Sequence, residues 1–172
     1  VAVDLVAQAA SPAANTFADE DTMTAYCDGR LGGAVWTADP SQFAALVEAS
    51  RDLSTLSWRG LRASATQALA WPRAWVSDPD HPTGRFYGAT EIPRRVVDAT
   101  CELALQYLAL GGDPARPDPL ANVVRKKVDV LETEYAAPAV RARGIARFPR
   151  VLAMVQPLLA GGGAAGVELA RT

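Results

Sequence analysis

Apolar positions along this chain recur at three- and four-residue intervals in four windows, and turn to strict alternation in a fifth. Met23, Tyr26 and Cys27 fall at i, i+3 and i+4 behind the acidic run Asp19-Glu20-Asp21. Negative charge there suits a helix N-terminus, and Gly29 with Gly32-Gly33 closes a short first helix. Phe43, Leu46, Val47, Leu53 and Leu56 form one stripe along a second helix that ends near Ser57. Asp39 can cap it, Pro40 fits its first turn, and Gln42 follows Asp39 at the capping-box spacing. A third helix starts at Pro93 and runs to Leu110, where Gly111-Gly112 stops it. Its apolar positions Val96, Val97, Cys101, Leu103, Ala104, Leu105, Leu108 and Leu110 cover more than half the circumference, which marks a central helix. A last helix spans Phe148 to Ala160 with Pro149 in its first turn, and Gly161-Gly162-Gly163 then releases a tail.

Between these windows the breakers dominate. Residues 1–18 read as a loose, Ala-rich lead-in with Pro12 and Asn15 as interruptions. In "ASATQALAWPR", Ala63 to Arg73, Pro72 forces Trp71 into an extended conformation and ends any helix begun near Ser64. Pro, Gly and Asp crowd the stretch Ser77 to Thr90 and forbid regular structure. After the Pro-rich link Asp113 to Pro119 comes "VRKKVDVLETEYA", where Val128, Val130 and Leu131 alternate with Lys127, Asp129 and Glu132. Period two and β-branching suggest a strand or hairpin, with a short helix near Val123 as the other reading. Residues 137–147, with Arg141, Arg143 and Arg147, read as a mobile loop. The expected fold is mainly α: a small bundle of about four helices with a short β-strand or hairpin and an extended C-terminal tail. One domain covers 1–160 and a flexible tail 161–172.

Composition sharpens this in two respects. A chain of 172 residues is most simply one domain able to bury its own core. Its formal charge of −2 argues against a general nucleic-acid binder or a membrane-surface protein. The charge is unevenly spread, however. Up to Ser57 there are two basic against eight acidic residues, and from Trp58 onward fifteen against eleven, giving −6 and +4. Such a polarity suits a subunit that meets other proteins, or DNA, with one end only. Cys27 and Cys101 lie too far apart for a metal knuckle and read as buried free thiols. No apolar run reaches the ~18 residues of a membrane helix, and no charged n-region precedes an apolar h-region as in a secretory leader. The start at Val1 fits processing, trimming or a non-ATG codon.

Candidate chemistry is sparse. The single histidine, His81, has neither a nucleophile motif nor a second ligand at fixed spacing, and reads as a solvated loop residue. The triple glycine lacks the Lys-Ser/Thr of a phosphate loop and ends a helix, so it is a hinge. Glu132 and Glu134 alternate as a solvated face would. These residues specify no catalytic set, cofactor or metal. Arg125, Lys126 and Lys127 could face DNA phosphates or simply solvent, and few aromatics interleave with them as a single-strand binder requires. Trp58, Arg59, Arg62, Trp71 and Arg73 form a paired Trp-Arg feature, with Trp75 close by. The tryptophans can fill space at the base of the domain while the arginines fork onto carbonyls or carboxylates. The same residue types also suit an anchor between subunits.

"WRGLRASATQALAWPR" (Trp58 to Arg73), with "EIPRRVVDATCELAL" (Glu91 to Leu105) after a loop, resembles a family of small tailed-phage proteins. These are often labelled DnaT-like single-stranded DNA-binding proteins and are encoded among head and head–tail joining genes. The likeness covers roughly Ala14 to Arg171, and Gln67 to Arg73 is its most specific part. The linkers at 113–119 and 136–147 are fuller than the family's. The resemblance implies a non-enzymatic head–tail adaptor of the virion, made in the host cytoplasm: a dodecameric ring between the portal and a stopper or tail-terminator protein, with DNA as passing cargo and no membrane. It also implies that Val167, Glu168, Leu169 and Arg171 contact the portal, for instance as an added strand. Val128, Val130 and Tyr135 would then contact a neighbouring subunit or the next ring. The label itself keeps open a single-stranded DNA-binding replication accessory.

Overall fold

The computed structural model describes residues 3–111, 125–128, 131–134 and 144–161. Its elements are α1 (Glu20–Asp28), α2 (Val35–Ala38), α3 (Gln42–Ser54), β1 (Leu61–Arg62), β2 (Arg73–Ala74), α4 (Arg94–Ala109), β3 (Arg125–Val128), β4 (Leu131–Glu134) and α5 (Pro149–Val155). The chain is mainly helical with a short antiparallel hairpin, as its periodicity requires. α4 is the central helix. Val96, Cys101, Leu103, Leu105, Tyr107 and Leu108 are all buried on it, and α3 and α5 pack against it.

Local chemistry explains the boundaries. Asp19 caps α1, its carboxylate accepting from the Thr22 amide at 2.9 Å. α3 begins two residues later than the capping-box reading places it. Asp39 accepts from the Ser41 amide at 2.8 Å, so its side chain closes a turn before the helix and does not cap the helix itself. The turn α2 went unrecognised in the sequence; it buries Trp36, whose Nε1 donates to Thr24 Oγ1 at 3.3 Å. α5 ends at Val155 and gives way to a 3-10 turn over Gln156–Leu158, short of the expected Ala160. Pro157 has no N–H for the α-helical bond, and its ring crowds the carbonyl four residues back.

One expectation is overturned and one open possibility is closed. The lead-in is irregular but packed, with Ala14, Phe17 and Ala18 buried. Asn15 folds it on itself, accepting from the Val6 amide at 2.8 Å and donating to the Asp4 carbonyl at 2.7 Å. No helix starts near Ser64. There the buried Gln67 accepts from the Ser64 amide at 2.9 Å and donates to the Leu69 and Pro72 carbonyls at 2.8 and 3.1 Å. One amide thus satisfies three backbone groups, and the loop takes the shape of that side chain.

A buried charge ties the bundle together. Glu102 is fully enclosed on α4, and Arg30 holds its two oxygens at 2.7 Å each. Tyr26 and Gln106 donate to the same carboxylate at 2.9 and 3.1 Å, and Arg150 lies at 3.6 Å. The Arg30 guanidinium keeps the Glu102 carboxyl down to about 2, so it stays ionised and paired.

Candidate interaction corner

The residues 58–62 and 71–77 meet beyond the C-terminal end of α3. Trp58 is buried and donates from Nε1 to the Leu53 carbonyl at 2.9 Å, closing the end of the helix. Trp71 sits edge-on between Trp58 and Tyr87, with centroids 5.6 and 5.8 Å away and interplanar angles of 85° and 89°. This T-shaped stacking sets positive ring edges against negative faces. The Trp71–Pro72 peptide is cis. The Trp71 Nε1 is buried with no hydrogen-bond partner, so the ring is held by packing alone.

The arginines serve the backbone. Arg73 donates to the carbonyls of Arg59 at 2.7 Å, Gly60 at 2.6 Å and Ala70 at 3.2 Å. Its planar fork thereby joins two passing strands whose register pairs Leu61 with Ala74 and Arg62 with Arg73. Arg59 donates to the Leu159 carbonyl at 3.0 Å, where Trp58 and Leu159 form an antiparallel bridge. Gly60 is obligatory: its φ is +67°, and a Cβ there would stand 2.1 Å from the Ala74 carbonyl oxygen. Among the described residues no carboxylate pairs with Arg59, Arg62 or Arg73. Burial, and then the charge of Arg62, hold Arg73 below its ordinary value.

Trp75 does not fill the base of the domain as the sequence suggested. It is 75% exposed, with a left-handed backbone at φ +64°. Leu61 on β1 and Phe86 opposite Ser77 are 67% and 60% exposed. Ser77 bridges Phe86, and the Tyr87 amide donates to the Val76 carbonyl at 3.0 Å. Alternation therefore turns Val76 and Tyr87 inward and leaves Trp75 and Phe86 outside. The loop that carries Phe86 is pinned by ion pairs. Arg95 clamps Asp80 through two contacts of 2.6 Å, and Arg85 reaches Asp78 at 3.3 Å and also pairs with Glu91.

The other candidate residues divide. Arg125, Lys126, Lys127 and Val128 form β3, whose register sets Arg125 opposite Glu134, Lys127 opposite Glu132 and Val128 opposite Leu131. Two of the three basic positions are thus matched by acidic ones across the ladder. Val130, Tyr135, Val167, Glu168, Leu169 and Arg171 lie outside the described residues. His81 stays within its loop, its Nδ1 3.0 Å from Thr83 Oγ1. Sequence reasoning missed the exposure of Leu61, Trp75 and Phe86. The only signal was three large apolar residues in short segments with no helical period.

Fold and site together define a small α-helical protein with a tryptophan–arginine corner where the described chain ends. The chain belongs to the family described as "Putative DnaT-like ssDNA binding protein", whose model matches residues 5–172. No curated protein and no solved structure matches it.

Proposed function

We propose that this chain is a non-catalytic structural subunit, a head–tail adaptor that forms a ring between portal and stopper or tail-terminator around the DNA channel of a virion. The observation that carries the reading is the corner itself. The motif with the most specific resemblance, Gln67 to Arg73, is consumed in architecture: Gln67 and Arg73 bind backbone carbonyls and Trp71 packs inside. A reactive loop would leave those groups free to meet a substrate. The uneven charge along the chain adds support, since it suits contacts made at distinct ends. The test is electron microscopy of the full chain mixed with a portal protein from the same source. Rings seated on the portal are the expected result, and a chain that neither forms rings nor binds the portal sinks the reading.

A second reading is favoured by the family's description and by one surface. The corner carries three arginines without carboxylate partners among the described residues, together with exposed Trp75, a combination suited to single-stranded DNA. Binding of an oligothymidylate that is tight at low salt and falls steeply as salt rises would support it.

A further inference from the structure

An exposed tryptophan with a positive φ is costly twice over. Its ring offers apolar surface to water, and its Cβ crowds the neighbouring carbonyl in a region where glycine is the default. Trp75 has both features, and exposed Phe86 lies across from Ser77, two residues further along the chain. Arg62 sits opposite Arg73 in the ladder that leads to Trp75, and it and Arg59 are exposed and without carboxylate partners among the described residues. An aromatic anchor with unpaired guanidiniums around it is the composition of an interface hot spot, and it calls for an acidic, partly apolar receptor.

The same chain presents such a receptor elsewhere. Val3, Leu5 and Phe43 line an open groove of about 360 Å³ together with Asp4, Asp19, Glu20 and Asp21. Asp19 is occupied in capping α1, whereas Asp4, Glu20 and Asp21 have no ion-pair partner among the described residues. Phe43 stands in the first turn of α3, and Trp58 closes the last. Thirteen residues of helix separate the two by about 20 Å at the α-helical rise. A single chain cannot bring one onto the other.

We propose that the Trp75 face of one chain docks into the acidic groove at the far end of α3 on a second copy, head to tail. This deepens the adaptor reading and rests on it for the biological setting. The contact is heterologous: each copy offers a different surface, so repetition yields a ring if the rotation closes. Charge complementarity favours a second copy as the occupant: exposed Arg59 and Arg62 have no carboxylate partner, and Asp4, Glu20 and Asp21 no ion-pair partner, among the described residues.

The test is sedimentation of the full chain over a concentration series, at low and high salt. The wild type should self-associate, and less so in salt, because the flanking charges are screened. Trp75→Gly relieves the backbone and keeps the fold, so it should remain as stable as the wild type while association weakens at least about tenfold, the scale of a lost hot spot. Arg62→Glu and Asp21→Arg should each fail to associate alone. Mixed together they should associate again, because every knob then meets a groove of opposite charge. A wild type that stays monomeric up to about 1 mM overturns the inference, since even weak contacts populate there. So does association untouched by Trp75→Gly, or a Trp75→Gly defect that appears in oligothymidylate binding instead. Self-association through this contact with no portal binding would sink the adaptor role alone. Portal-seated rings formed equally well by Trp75→Gly would sink the contact alone.

Discussion

Arg73 donates to the Gly60 carbonyl at 2.6 Å and to the Arg59 carbonyl at 2.7 Å, so one guanidinium fastens two strands that are more than ten residues apart in sequence. Neither contact is an ion pair. Arg73→Lys should therefore keep the charge and still lose stability, because an ammonium cannot bridge those carbonyls in one plane. A loss of about 1–3 kcal/mol in urea unfolding is expected, the scale of stranded carbonyls beside a charged donor. A Lys variant as stable as the wild type would show that charge alone suffices.

Trp71→Ala should be the most damaging corner substitution, at about 3–5 kcal/mol, since it empties the space between Trp58 and Tyr87. Trp71→Phe should cost much less. The Nε1 it removes has no partner, so only packing is lost. Thermal unfolding of the two variants side by side measures the difference.

The pair Arg30 and Glu102 predicts a pH dependence. Burying a carboxylate costs free energy that the bidentate arginine offsets, and removing Arg30 leaves that charge unpaired. Arg30→Ala should lose about 3–5 kcal/mol at neutral pH. In the wild type the carboxyl is held down to about 2, from 4.5 when unperturbed. Its contribution is thus complete above the unfolded value and is lost as pH falls between the two. Urea unfolding from pH 7 to pH 2 should show a steep acid limb in the wild type, and a flatter one in Glu102→Gln.

Both cysteines should be inert in the folded protein. Burial pushes the Cys101 thiol up to about 12 and raises Cys27 as well, so almost no thiolate exists near neutrality. A thiol reagent at pH 8 should label neither residue until urea unfolds the chain, and then both. Rapid labelling of the native protein would show that the core around α4 opens more readily than its packing implies.

Helical order was legible in the sequence because amphipathic period is a local property. The stripes of α3 and α4 name their buried faces before any partner is known, and Asp19 and the Gly111-Gly112 pair mark helix ends. The alternation around Val128 likewise pointed to the hairpin. Local rules failed where a distant group decided the outcome. Ala-rich "ASATQALA" has helix propensity, yet Gln67 and Arg73 recruit its carbonyls into a loop, a contest that propensity cannot register. Asp39 closes a turn, so α3 starts late. Glu102 is one charged position on a mainly apolar helix, and only folding brings Arg30, Tyr26 and Arg150 around it.

The corner was half legible. Its tryptophans and arginines stood out by type and spacing, and "WRGLRASATQALAWPR" carried the resemblance. Which of them would face water could not be read there. Strand alternation about the Ser77–Phe86 bridge turns Val76 and Tyr87 inward, and Trp71 and Trp58 stack in turn behind Tyr87 in the core while Trp75 is surface. Composition and period depend on neighbours in sequence, and they determined a central helix, an irregular middle and a polarised charge. Direction of a side chain depends on what the chain meets after it turns back, and only the tertiary structure settles that.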